Sequence, residues 1–188
     1  VTTGRIHYVL PEDALVRIRI GQDGPLFRTL LDWEKREKGA HDEIWDFKDE
    51  TGKVDFSTWK NFKIIFSARN VDSSTSNPSI PVGLHKAPKI HISFPEIDMP
   101  DDKIVLRGMA SIRATVDEAD FKWLSNSKIE NIIFMDGVFL HEEEEGNNPF
   151  NYQLDTRLYN NGPHVLIINT VSYAGETGTA ALTINIGN

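Results

Sequence analysis

Apolar residues recur at every second position along most of this chain, and that period limits what it can fold into. Val16, Ile18 and Ile20 alternate with Arg17 and Arg19; Phe62, Ile64, Phe66 and Ala68 alternate with Lys63, Ile65, Ser67 and Arg69. The same pattern returns at Ile6, Tyr8 and Leu10, at Ile90, Ile92 and Phe94, and at Ala110, Ile112, Ala114 and Val116. Near the end Val165, Ile167 and Asn169 alternate with Leu166, Ile168 and Thr170, and the last run is Ala181 to Ile186. A period of two sends one set of side chains to a core and the other to solvent, as half-buried strands require. Helical periodicity is scarce. Leu30 to Ala40 holds at most a turn or two, because it lacks a persistent apolar stripe. Asp117 to Leu124 reads as a short helical crossover.

Turn chemistry separates the runs, at Gln22-Asp23-Gly24-Pro25, Glu50-Thr51-Gly52, Asp136-Gly137, Asn160-Asn161-Gly162-Pro163 and Gly175-Glu176-Thr177-Gly178. Many short strands with regular turns predict an all-β chain of antiparallel sandwiches. Between the halves, Asn70 to Pro88 is dominated by Ser, Thr, Asn and Pro. A structureless stretch that long is unusual inside one compact domain. The division is therefore 1–70, a linker at 71–88, and 89–188, giving two tandem immunoglobulin-like β-sandwiches.

Charge and composition exclude several function classes. The net charge of −8 disfavours nucleic acid, whose phosphates demand clustered Lys and Arg. The absence of cysteine removes disulfide scaffolds, cysteine nucleophiles and thiolate metal sites. Apolar runs such as Val165 to Ile168 are too short to span a bilayer, so no transmembrane segment is expected. The opening VTTGRIHYVL has neither the basic start nor the apolar core of a signal peptide.

The first half resembles the immunoglobulin-like domain named after the flagellar hook-capping protein. The residues that carry the likeness are HYVLPEDALVRIRI, GQDGPLFRTLL, Gly39, Trp45-Asp46 and DETGK. Phe47 stands where that family has Gly, and Phe62 takes the aromatic position at the entry to the last strand. The second half resembles bacterial immunoglobulin-like domains of secreted glycoside hydrolases and adhesins, through MASIRATVDEAD, IENIIFMDG and the closing stretch from Tyr152 to Asn188. The resemblance implies a chain processed for the periplasm or the exterior of a bacterium, without catalysis of its own. It also makes Asp155, Thr156 and His164 marks of a fold. The residues agree: Asp and Thr at a strand end bond exposed backbone, Asn161-Gly162 supplies a tight turn, and a histidine at a strand start can hold a neighbouring loop.

No nucleophile elbow, zinc-binding helix, phosphate loop or dinucleotide fingerprint occurs. Asp46, Asp49, Glu50 and Asp55 crowd one turn with hard oxygen donors and are calcium candidates, although their spacing is not that of an EF-hand. Glu142, Glu143, Glu144 and Glu145 form an acidic run suited to a basic partner surface. Trp33, Trp59 and Trp123 sit among polar residues, where an indole can stack on a sugar or anchor a protein interface. Trp45 is expected in the core. The expected role is a docking subunit bound to other proteins of an extracytoplasmic assembly, with polysaccharide binding as the alternative.

Overall fold

The computed structural model describes residues 4–70, 86–97 and 104–188. The N-terminal half contributes β1 (Gly4–Leu10), β2 (Ala14–Gly21), β3 (Leu26–Arg36), β4 (Gly39–Trp45) and β5 (Lys63–Asn70). The C-terminal half contributes β6 (Ile90–Ser93), β7 (Val105–Leu106), β8 (Met109–Val116), α1 (Glu118–Leu124), β9 (Ile129–Met135), β10 (Val138–Glu143), β11 (Phe150–Asp155), β12 (Gly162–Ser172) and β13 (Thr177–Ile186). The chain is all-β, as the period of two demands, and α1 falls on the crossover expected there. The sheets run β1-β4, β3-β2-β5, β10-β9-β12-β13-β7 and β11-β8-β6. Among the described residues, every strand pairing is antiparallel except β13 with β7.

In the C-terminal half, Ile112 and Leu154 of the three-stranded sheet face Ile133, Met135, Leu166, Ile168, Leu182 and Ile184 of the five-stranded one in one buried cluster. The other face of that five-stranded sheet is covered too. Phe134, Ile167 and Ala181 pack with Ile20, Phe27, Trp45, Val54 and Phe56 of the N-terminal half. A strand buried on both faces needs apolar residues at successive positions, which accounts for Val165-Leu166-Ile167-Ile168. The cluster of Leu10, Ala14, Val16, Ile18 and Leu31 fills the N-terminal half between β1-β4 and β3-β2-β5.

Leu30 to Arg36, read from the sequence as a possible helical turn, lies within β3. The physical reason is a β-bulge. Val16 pairs with Glu34 and Arg17 with Asp32, so Trp33 is left over, with φ 58. The extra residue breaks the alternation that would have marked a strand. At the turn between β9 and β10, Asp136 and Gly137 both take positive φ (51 and 81), the backbone that a two-residue hairpin needs.

Most of the expected linker, 71–85, lies outside the described residues. Its end is held: Asp32 accepts from the Ala87 N–H at 2.6 Å, and Lys86 pairs with Glu34 at 2.8 Å.

Candidate functional site

The Asp155, Thr156 and His164 cluster is spent on three separate structural contacts. Asp155 accepts from the Arg157 N–H and pairs with its guanidinium at 2.8 and 2.9 Å, capping the 3-10 turn Thr156–Leu158. Thr156 is buried and donates its hydroxyl to the Gly108 carbonyl at 3.0 Å and to Asn188 Oδ1 at 2.6 Å. Asn188 Nδ2 donates back to the Thr156 carbonyl. His164 reaches Asp136 Oδ2 through Nδ1 at 2.6 Å and the Asn160 carbonyl through Nε2 at 2.8 Å. Burial by itself lowers the affinity of His164 for a proton, but the Asp136 and Asn160 hydrogen bonds outweigh it and raise its pKa.

The four calcium candidates likewise have partners of their own. Asp46 pairs with Arg28 at 2.8 Å. Asp49, 1% exposed, accepts from the N–H groups of Thr51 and Val54 and from the Thr51 hydroxyl, which closes the turn. Glu50 accepts from the Thr29 N–H at 3.0 Å, and its burial raises its pKa despite that bond. Asp55 accepts from the Ser57 N–H at 2.7 Å. Among the described residues, no three His, Asp or Glu side chains gather as a metal site would require. Asp49 and Asp55 thus satisfy backbone N–H groups of their own turns, while Asp46 and Glu50 reach across to β3.

The glutamate run divides. Glu143 turns inward, accepting from Asn131 Nδ2, from the N–H groups of Glu145 and Asn147, and from Asn147 Nδ2. Burial opposes its ionisation, but those four donors lower its pKa. Glu144 lies 3.5 Å from Lys128. Glu142 and Glu145 are exposed, and slight desolvation together with the nearby Glu130 raises the pKa of Glu142. Three of the four thus stay outward, and the fourth organises the loop.

The tryptophans do not form a row. Trp33 stands under two guanidinium groups, Arg17 at 4.5 Å and Arg69 at 5.0 Å from its ring centre. Trp59 is edge-on to Phe27 and Phe56 at 5.3 and 5.0 Å and lies against Gly137 of the other half. Trp123, on α1, packs against the C-terminal core. The three indoles stand in three different surroundings. Their polar neighbours in the chain reflect half-burial. Trp45 is 3% exposed, as expected of a core residue.

The feature that sequence reasoning missed is the free edge of β5. Ile64, Ile65 and Phe66 are 52%, 45% and 42% exposed. Ile65 pairs with Arg19 and so shares its face toward the C-terminal half, while Ile64 and Phe66 pair with Ile20 and Ile18 on the opposite face. Between β5 and the five-stranded sheet lies a cavity of about 190 Å³, lined by Arg19, Lys63, Ile65, Ile132, Val171 and Thr177 among others. Arg19 donates to the Gly175 carbonyl and to Thr177 Oγ1, yet its Nε is buried with no partner among the described residues. The available signal was the run Ile64-Ile65-Phe66, three apolar residues where a half-buried strand needs alternation.

No helix of the described residues is long and apolar enough to cross a membrane. No family model matches the chain, and no curated protein matches it. Among solved structures, the chain is similar to an endo-β-1,4-mannanase from Thermotoga petrophila, at 16% identity and TM-score 0.42 over 55% of this chain and 20% of that one. It is also similar to the PmoD soluble domain from Methylocystis sp. strain Rockwell, at 16% identity and TM-score 0.34 over 52% and 90%. A third likeness is to CbhA fibronectin(III)-like modules of Clostridium thermocellum, at 10% identity and TM-score 0.38 over 96% and 94%. The chain spans a fifth of the mannanase it matches. Likenesses this distant leave the fold resting on the strand pairing itself.

Proposed function

We propose that the protein is a non-catalytic docking subunit, working outside the bacterial cytoplasm and bridging proteins of a larger assembly without a cofactor. The observation that carries this reading is the apolar edge of β5, where Ile64, Ile65 and Phe66 stay exposed beside a chain whose polar landmarks are already satisfied. Exposed apolar groups on a sheet edge are a liability that a partner relieves. Two further supports come from the sequence: the hook-capping-type likeness of the first half and the secreted-protein likeness of the second. The bacterial, extracytoplasmic setting follows from these likenesses.

The test is the native size of the protein in gently solubilised envelope and periplasmic extracts, followed by cross-linking and identification of neighbours. The expected result is elution well above the mass of one chain, with a recurring protein neighbour. A stable, partnerless monomer would overturn the proposal.

A further inference from the structure

Three observations meet at β5. Its outer edge is open: β5 pairs with β2 on one side, and no strand borders it on the other among the described residues. Natural edge strands are ordinarily guarded by charge, proline or a bulge. Here Lys63 and Arg69 stand only near the two ends, with Ile64, Ile65 and Phe66 between.

The sheet that β5 terminates is also narrower than the sheet beneath it. Leu26 of β3 bonds Asn169 of β12 and Thr179 of β13, whereas Lys63 and Ile65 of β5 share a cavity with Ile132 of β9 and Val171 of β12. Beyond β9 lies β10, at the edge of that sheet. Phe139 of β10 pairs with Phe134 and so points to the interface face, yet it is 54% exposed. A fourth strand beside β5, about 4.8 Å further out, would lie over β9 and β10 and cover Phe139.

The third observation is charge. In a chain of net charge −8, the crevice under this edge is lined by Arg19 and Lys63 amid Ile65, Ile132 and Val171; Lys63 pairs with Asp23 at 3.4 Å, and Asp32 and the buried Glu176 act on Arg19. The buried Arg19 Nε lacks an acceptor among the described residues. A buried donor of this kind favours a carboxylate.

We propose that β5 is an acceptor edge, and that its occupant is an extended segment of another polypeptide. The segment adds as a fourth strand to β3-β2-β5. Its side chains on the crevice side, at every second position, are apolar for Ile65, Ile132 and Phe139, with one carboxylate for Arg19 and Lys63. This deepens the docking reading and rests on it. A second copy of the chain does not fit. Antiparallel pairing of β5 with itself puts the two-fold axis normal to the sheet, so both C-terminal halves fall on one side. The β9-β10 overhang of each would then occupy the place of the other.

The probe is a fluorescent, end-blocked nonapeptide alternating Val and Thr, with one Asp among the valines; a second carries Lys in that place. The Asp peptide is expected to bind about tenfold more tightly than the Lys peptide and to protect β5 amides from hydrogen exchange. N-methylation of alternate nitrogens along one edge of the peptide abolishes binding, and along the other edge leaves it. Ile65→Lys weakens binding at least about tenfold, and Val9→Lys, on the remote β1-β4 sheet, leaves it unchanged. Four results would overturn the proposal: no binding at millimolar peptide, equal binding of the Lys peptide, binding without β5 protection, or self-association that Ile65→Lys removes. Native extracts separate this from the broader reading. If wild type and Ile65→Lys both stay in a large assembly, the edge proposal falls alone; if wild type is monomeric, both fall.

Discussion

The carboxamide of Asn169 forms two hydrogen bonds with the backbone of Leu26, accepting from its N–H at 2.8 Å and donating to its carbonyl at 3.0 Å. One side chain of the C-terminal sheet thus acts as a strand partner for the N-terminal half. Asn169→Ala leaves the Leu26 N–H buried without an acceptor, whereas the carbonyl keeps Thr179. The expected loss is about 1–3 kcal/mol by urea unfolding. Asn169→Asp is expected to cost more at neutral pH, because a carboxylate would face the Leu26 carbonyl.

Phe27 is fully buried and stacks on Phe56 with ring centres 4.2 Å apart, within a cluster that includes Phe134 and Ile167. Phe27→Ala is expected to cost about 3–5 kcal/mol. Because the cluster is shared, wild type should unfold in one transition, with Trp45 and Trp123 probes coincident. Separate transitions for the two halves would refute a cooperative interface.

Gly137 combines positive φ with a crowded site. A Cβ there would lie 3.0 Å from Gln22 Oε1 and 3.2 Å from Trp59 Cζ3. Gly137→Ala is expected to lower stability by more than about 1 kcal/mol. Quenched or shifted Trp59 emission would report the movement, and an unchanged melting temperature would count against the contact.

His164 gives a pH signature with a definite sign. Its folded pKa is raised, since the Asp136 and Asn160 bonds outweigh burial. The stabilisation is complete below about pH 6.5, the ordinary histidine value, and is lost as pH rises through the folded pKa. Denaturation midpoints are expected to fall across that window in wild type, with a flatter profile in His164→Gln. Equal slopes in the two proteins would exclude the contribution.

Glu143 behaves in the opposite sense. Its pKa is lowered by donors from Asn131, Glu145 and Asn147 against the effect of burial. Its contribution is present above about pH 4.3 and lost as pH falls through the folded pKa. Glu143→Gln is expected to cost about 1 kcal/mol at neutral pH and to speed hydrogen exchange at Glu145 and Asn147. Unchanged exchange would show that the loop is held by other means.

Strands were legible wherever one face met a core and the other met water, as at β8; β2 alternates too, but its Arg17 and Arg19 face the C-terminal half, with Arg17 2% exposed. Asp136-Gly137 identified its own hairpin. Legibility failed where a residue belonged to a partner distant in sequence. The bulge at Trp33 concealed β3, because one surplus residue shifts the phase of everything after it. Phe134, Ile167 and Ala181 looked like ordinary members of an alternating run, yet they carry the contact between halves. Acidic residues at 46–55 resembled a metal loop because capping a tight turn and binding a cation call for the same oxygens. Trp59 has polar neighbours in the chain, but its surroundings in space are Phe27, Phe56 and a glycine about eighty residues away.

The five-stranded sheet, apolar on both sides, bears on how such a gene can be cut and recombined. Beads on a string can be shuffled at their connector without penalty. Severing this chain near residue 80 would leave Phe134, Ile167 and Ala181 facing water on one fragment, and Phe27 and Phe56 on the other. Each fragment would then be prone to clump, so engineering and inheritance alike must carry the two halves as one cassette.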